Sequence, residues 1–260
     1  MTVAAVDARC ALFVSPHWDD AVMSAGGLLA VRAGAACEDA LLTVFAQVPV
    51  PPFSGFSRGF HTACGLGDDI GERRAAEDRS AAAVLGVRLL QGDVLDAIYR
   101  RGPSGGWLYD GEGRTFEPRA ADDDVFPRVR GVVAAAVRER TPDLMLAPFG
   151  IGGHVDHLLV RAAVVSVGRE QDIPVLLWED QPYALRHRVP GAPGGVDVAI
   201  GEEAWARKIE ATAAYASQLR MLFEPGEDWA AEFDRHARRL GGTEEHVERY
   251  WPADPDTLPR

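Results

Sequence analysis

The sequence predicts an α/β protein of three layers, α/β/α, with a mostly parallel sheet between two layers of helices. Short, unbroken apolar runs recur along the chain, and stretches long enough for helices of 12 to 17 residues separate them. Runs that are apolar at every position, rather than every second one, belong to strands covered on both faces, the setting of a parallel sheet built from βαβ units. The chain has 260 residues, of which 47% are hydrophobic, enough to bury a substantial core. No internal repeat or linker interrupts the pattern. Residues 1–260 therefore read as a single domain, with a core over about 11–222 and a C-terminal extension over about 223–260.

Ala11-Leu12-Phe13-Val14 is the first strand, ended by Ser15-Pro16, and a helix follows over residues 20–33. Leu41-Leu42-Thr43-Val44-Phe45-Ala46 carries the β-branched and aromatic content of a second strand. Pro49, Pro51 and Pro52 then open a loop that reaches about Asp69. Residues 70–85 are rich in Ala, Glu and Arg and read as a helix stopped by Gly86, with a return to the sheet at 87–90. Residues 92–124 are irregular and longer than compact domains usually tolerate; with Trp107 and Tyr109 they are either a lid or a disordered acidic insert. A helix at 125–140 leads to a strand at 144–149, a Gly150–Gly153 turn, a helix at 154–170 and a strand at 175–178. Residues 190–195 read as a surface hairpin, and 196–200 as a further strand and a candidate for antiparallel pairing. One long helix is predicted at 202–222, a last helix at 229–240 and a loose tail at 252–260.

Composition narrows the function. Lys+Arg total 27 against 39 Asp+Glu, a formal charge of −12, which argues against an electrostatic grip on nucleic acid or anionic lipid. No stretch approaches the ~18 apolar residues of a membrane span. Residues 1–9 hold Asp7 and a single Arg, unlike the basic start of an export signal. Cys10, Cys37 and Cys64 form no C-x-x-C pair, which excludes a disulfide scaffold and a cysteine-based zinc module and makes the reducing cytoplasm the expected compartment. The expected partner is a small molecule, with homo-oligomerisation left open.

Two segments carry candidate chemistry. Pro16-His17-Trp18-Asp19-Asp20 follows the first strand, and ligands of doubly wound sheets bind beyond the carboxyl ends of strands. A His and two carboxylates there are costly to desolvate unless something uses them, although Asp19 or Asp20 could equally cap the following helix. His154-Val155-Asp156-His157 also follows a buried strand, and residues three apart on a helix share a face. Two His and one carboxylate with a position left for water is a catalytic zinc arrangement. Gly55-Phe56-Ser57-Arg58-Gly59 matches a nucleophile elbow on paper, but no strand precedes it, and a flexible loop accounts for it better. Gly150-Ile151-Gly152-Gly153 begins like a dinucleotide fingerprint and fails at Val155; its glycines suit close backbone approach instead.

The two segments together resemble the PIG-L (LmbE-like) family of zinc-dependent N-acetylglucosaminyl deacetylases, which carries a Pro-His-x-Asp-Asp turn after its first strand and a later His-x-x-His. Residues 74–77, Leu85-Gly86-Val87, Asp96-Ala97-Ile98-Tyr99-Arg100, 179–183 and 208–218 are similar in kind, so the likeness spans about 11–220. The resemblance implies a Rossmann-like core and hydrolysis of the N-acetyl group of an amino sugar. It implies His17, Asp20 and His157 as ligands of zinc or another divalent metal, Asp19 as general base, and His154 as general acid or oxyanion partner. It places Arg74 and Asp96 at the sugar. Trp18 would be either a sugar-stacking wall or core packing, and Asp156 either an orienting group for a histidine or a solvated acid.

Two positions depart from the family pattern. The first motif commonly continues with Glu where Ala21 stands, and some members carry Tyr where Gly152 stands, which leaves Tyr183 or the metal to serve the oxyanion. An amidase acting on a cysteine–sugar conjugate or another non-sugar amide, and a non-catalytic metal- or sugar-binding protein, are the competing readings. The intact Asp19 argues against the latter, because a binding module needs no general base.

Overall fold

The computed structural model describes residues 8–35, 38–186, 195–242 and 245–253. Among them, seven strands form one sheet: β1 (Ala11–Ser15), β2 (Ala40–Thr43), β3 (Arg88–Gln91), β4 (Leu144–Pro148), β5 (Val175–Trp178), β6 (Val196–Ile200) and β7 (His246–Pro252), in the order β3-β2-β1-β4-β5-β7-β6. The first five pair in parallel, and β7 runs antiparallel to both of its neighbours. The helices are α1 (Asp20–Gly34), α2 (Gly55–Ala63), α3 (Ile70–Leu85), α4 (Phe126–Arg140), α5 (Val155–Gln171), α6 (Tyr183–Arg186), α7 (Glu202–Ala213), α8 (Ala216–Leu222) and α9 (Trp229–Gly241).

The unbroken apolar runs have the predicted cause. Side chains alternate across a strand, so a strand between two helical layers must be apolar on both faces. In β1, Ala11 and Phe13 join Leu28 and Leu29 of α1, whereas Leu12 and Val14 join Val133 of α4 and Val160 of α5. In β4 the same division puts Leu144 and Leu146 on one side and Met145 and Ala147 on the other. Each such Leu, Val or Phe contributes about 1.5–3 kcal/mol by leaving water.

The strand order places the site. From β1 the chain proceeds outward to β2 and β3, then returns to β4 on the other side of β1 and continues to β5. β1 and β4 are therefore adjacent, registered from Ala11↔Leu144 to Phe13↔Leu146, with crossovers leading away in opposite directions. The crevice beyond their carboxyl ends is the topological switch point, where ligands of such sheets bind.

Several elements differ from the sequence-based expectation. The predicted loop at 49–69 contains α2, whose N-cap Ser54 and residue Ser57 bond each other's backbone N–H in a capping box. The second strand ends at Thr43, and Val44, Phe45 and Ala46 continue as buried irregular chain. The predicted helix at 202–222 breaks at Ala214-Tyr215. Tertiary hydrogen bonds cause the break. Tyr215 donates its hydroxyl to Asp78 at 2.9 Å, and Ser217 donates its backbone N–H and its hydroxyl to Glu77 at 2.9 and 2.6 Å. The predicted hairpin at 190–195 falls almost entirely outside the described residues, and the tail beyond residue 253 and Cys37 lie wholly outside them.

The segment beyond Phe223, read from sequence as an extension, supplies β7 between β5 and β6. Its alternation was obscured because Glu248 is buried, 4% exposed. Helix α1 is broken at Ala25 (φ −124°, ψ 15°). Beyond this break, Gly27 and Leu28 donate their N–H groups to the Glu248 carboxylate at 2.8 and 2.9 Å. Lys208 of α7 reaches both the same carboxylate, at 2.7 Å, and the Ser24 carbonyl, at 3.4 Å. Gly27 has no alternative, since a Cβ there would lie 2.8 Å from Glu248 Oε1.

Truncation by Glu248→Ala, which strands the Lys208 charge and two buried amides, is expected to cost about 3–5 kcal/mol in urea unfolding. A second prediction concerns Asp78, whose carboxyl burial pushes up to about 7. Between the unfolded value and about 7 the native state holds the extra proton, so this site's contribution to stability declines as pH rises through that window. The stability of wild type relative to Asp78→Asn, measured by urea unfolding from pH 4 to 7.5, should fall steadily as pH rises.

Candidate active site

The turn after β1 is built by Ser15, whose hydroxyl donates to the His17 carbonyl at 2.6 Å and accepts the Ala21 N–H at 3.0 Å. His17 donates its own N–H to Asp20 at 2.8 Å, which folds the motif so that both side chains share one pocket. Beyond β4, Gly150, Gly152 and Gly153 take φ of +89°, +88° and +78°, values that other residues adopt only under strain. This turn delivers His154 as the N-cap of α5 and His157 into its first turn.

Ligand atoms of His17, Asp20 and His157 all lie within 4.8 Å of one another. His17 Nδ1 is 3.1 Å from Asp20 Oδ2, and His157 Nε2 is 3.3 Å from Asp20 Oδ1. That His157 nitrogen is buried and makes no hydrogen bond, while its Nδ1 is held by Asp180 at 2.8 Å. An unpartnered ring nitrogen facing a carboxylate and a second imidazole is a donor set that fits a divalent cation. Electrostatics agree. Burial opposes protonation of His157, but Asp20 and Asp180 outweigh it and push the ring up to about 9. The same surplus of negative charge would favour a cation among these donors.

A second set, His17, His154 and Asp156, is equally close-spaced. Asp156, however, is already saturated: it accepts Arg100 at 2.7 Å, the Ala97 N–H at 2.9 Å and His17 Nε2 at 3.1 Å. It therefore orients His17 and is no solvated surface acid; it is fully buried. Asp180 does the same for His157, and also accepts the N–H groups of Gly150 and Ile151 at 2.8 and 3.0 Å. Sequence reasoning singled out neither Asp180 nor Arg100 for such a role. Asp180 does follow β5, which lies beside β4 and ends at the same edge of the sheet, and that position was the available signal.

A cavity of about 250 Å³ opens over these groups, lined by His17, Asp19, Asp20, Arg74, Asp96, His154 and Tyr183 among others. Burial, reinforced by the Asp20 charge, pushes the Asp19 carboxyl up to about 6. Arg74 is buried, 3.4 Å from Asp19 and 3.8 Å from Asp96, and two of its nitrogens, Nε and Nη1, have no hydrogen-bond partner. His154 accepts the Asp156 N–H on Nδ1 at 3.2 Å, so the neutral ring carries its proton on Nε2. Burial, then the charge on His17, holds it well below the usual imidazole range. Tyr183 packs edge-on to His157, with ring centroids 5.5 Å apart. It occupies the space beside Gly152, where a Cβ would come within 2.8 Å of its ring. A tyrosine at position 152 would collide with it.

Of the residues expected at the substrate, Arg74, Asp96 and Tyr183 line the cavity and Trp18 does not. Trp18 points under the turn into the core, is 2% exposed, and carries the Arg74 guanidinium 4.6 Å above its ring. Within residues 92–124, Asp96, Ile98, Thr115 and Phe116 line the cavity, but neither aromatic ring singled out there reaches it. Trp107 stacks on Arg101 at 3.6 Å, and Tyr109 is buried with its hydroxyl on Asp123 at 2.7 Å. Phe116 supplies the ring at the cavity instead, 5.3 Å from His154. Ser57 of the apparent elbow is fully buried in its helix cap.

Comparisons with known proteins give the family. Residues 12–167 match the profile of the family described as GlcNAc-PI de-N-acetylase, PIG-L. The chain is 30% identical to 2'-N-acetylparomamine deacetylase of Streptomyces fradiae, over 94% of this chain and 90% of that protein. It is also 30% identical to 1D-myo-inositol 2-acetamido-2-deoxy-alpha-D-glucopyranoside deacetylase of Segniliparus rotundus, over 78% and 62%. The crystal structure of the zinc-inhibited form of teicoplanin deacetylase superposes with a TM-score of 0.86 at 32% identity, covering 94% of this chain and 97% of that one. With its profile match spanning more than half its length and with such relatives along nearly all of it, the chain belongs to the PIG-L family of de-N-acetylases.

Proposed function

We propose that this protein is a metal-dependent N-deacetylase that hydrolyses the N-acetyl group of an amino sugar or amino-sugar-containing metabolite as a single catalytic domain. The observation that carries the reading is the convergence of His17, Asp20 and the unpartnered His157 Nε2 beneath a cavity that also receives Asp19 and His154. Named relatives that act on N-acetylated sugars support it.

In this reading His17, Asp20 and His157 hold a divalent cation, best zinc given two imidazoles and a carboxylate. Such a cation supplies Lewis-acid chemistry and a more acidic water. Asp19, with a carboxyl raised towards neutrality, accepts the proton of the attacking water and returns it to the departing amine. His154, neutral with its proton on Nε2, donates to the oxygen that gains charge as the carbonyl carbon becomes tetrahedral. Tyr183, whose phenol burial and then the Asp20 and Asp19 charges push well above its usual range, keeps its proton and can donate beside it. The free N–H groups of Arg74, with Asp96, suit sugar hydroxyls. No helix among the described residues is long and apolar enough to cross a membrane, and the buried free thiols of Cys10 and Cys64 suit a reducing cytoplasm.

The test is acetate release from N-acetylglucosamine and its glycosides. Protein stripped by a chelator should be inactive and regain activity with zinc; zinc-loaded protein inert across a broad panel of such sugars would sink the proposal. Asp19→Asn should lower kcat by about 10²–10⁴-fold while leaving bound zinc unchanged. Asp180→Ala, which frees the His157 ring and two amides, should weaken zinc affinity by about 10–100-fold in a chelator competition.

A further inference from the structure

Arg100 is a buried cation that the proposed chemistry does not use. It is 5% exposed and sits between two rings, its guanidinium carbon 5.4 Å from the centroid of Phe45 and 5.2 Å from that of Tyr109. Its terminal nitrogens serve different segments. Nη1 donates to Asp156 of α5 at 2.7 Å and to the Leu95 carbonyl at 3.1 Å, and Nη2 donates to Asp123 at 2.9 Å. Asp123 is itself buried and also accepts the Tyr109 hydroxyl at 2.7 Å, whose oxygen accepts the Ala120 N–H at 3.2 Å. The 92–124 segment is thereby fastened to the acid that orients His17.

Resting on the deacetylase reading, we propose that Arg100 and Asp123 are positioning residues for the metal centre, holding the Asp156 carboxylate and through it the His17 ring. The two oxygens of Asp156 are divided between tasks. Oδ1 takes Arg100, whereas Oδ2 takes His17 Nε2 at 3.1 Å and the Ala97 N–H at 2.9 Å. The carboxylate cannot turn without losing a charge-assisted bond, so Arg100 fixes the oxygen that the imidazole faces. With Nε2 held there, the ring presents Nδ1 to Asp20, 3.1 Å away. A guanidinium recruited only to neutralise Asp156 needs no second carboxylate. Asp123 leaves two acids sharing one cation, and what it supplies is a fixed direction for the planar fork. The segment read from sequence as a lid or a disordered insert is on this account a brace, and Tyr109 is part of it. A brace acts on cation affinity, whereas a lid acts on substrate binding.

The experiment titrates zinc into chelator-stripped protein against a competing chelator, with urea unfolding of the stripped protein to verify folding. Arg100→Gln should weaken zinc affinity by about 10–100-fold. Asp123→Asn, which keeps Arg100 and its pair with Asp156, should weaken it by at least about threefold, and it decides alone if Arg100→Gln does not fold. Tyr109→Phe, which deletes the other bond to Asp123 and leaves both Arg100 contacts, should stay within about twofold of wild type. Adding Arg100→Gln to Asp156→Asn should lower affinity less than about twofold further, because both changes act through one carboxylate. At saturating zinc, Asp123→Asn should release acetate within about threefold of the wild-type kcat and at unchanged KM. Unchanged zinc affinity in Asp123→Asn, an equal loss in Tyr109→Phe, or additive losses in the double variant overturn the proposal, as does a raised KM at unaltered zinc affinity. Each of these leaves the deacetylase reading intact. The expected pattern of zinc affinities in a protein that releases no acetate retains the brace and overturns the deacetylase reading. Wild-type protein that takes up no zinc overturns both.

Discussion

The structure depends on how carboxylates and imidazoles are buried together where β1 and β4 end side by side. Desolvating one such charge alone costs several kcal/mol, so each must be neutralised by a neighbour. The outer acids are satisfied by protein alone: Asp156 by Arg100, Ala97 and His17, and Asp180 by His157 and two glycine-turn amides. The inner acids differ in where they lie. Asp20 accepts the His17 N–H at 2.8 Å and faces two imidazoles at 3.1 and 3.3 Å, and Asp19 accepts Arg74 at 3.4 Å, and both line the cavity. This difference in position separates the groups that orient from those proposed to react.

A second buried ion pair ties the site's helix to a distant part of the chain. Helix α1 begins at Asp20, within the first motif, and breaks five residues later. The break frees backbone donors that Glu248 accepts and a carbonyl that Lys208 approaches. Residues from α7 and β7 thereby fix the helix that leads out of the cluster. A helix break with both kinds of freed backbone group paired is stable, whereas the same break left unpaired would not be.

Much of this was legible in the sequence. The strands at 11–15, 144–148 and 175–178 announced themselves because burial on both faces demands continuous apolar runs. The helices at 70–85 and 155–171 were bounded by glycines whose role is local. His17, Asp19, Asp20, His154 and His157 stood out because polar groups directly after buried strands need a reason to be there. Strand β7 did not stand out, because its buried members include His246 and Glu248, polar groups whose partners outside the strand lie 12 to 221 residues away. The capped helix α2 was hidden behind three prolines, and Trp18 could have pointed either way from the turn.

What the sequence determined by itself is what local pattern controls: the α/β class, the approximate elements and the residues that carry the chemistry. Periodicity and turn chemistry act over a few residues, and the hydrophobic effect needs no knowledge of the partner. Only the tertiary structure decided which acids orient the histidines and which line the cavity, that Tyr183 fills the space beside Gly152, and that Phe116 rather than Trp18 faces the cavity. Those outcomes rest on ion pairs, hydrogen bonds and close packing between residues far apart in the chain, and such interactions acquire partners and strength only once the sheet has brought its strand ends together.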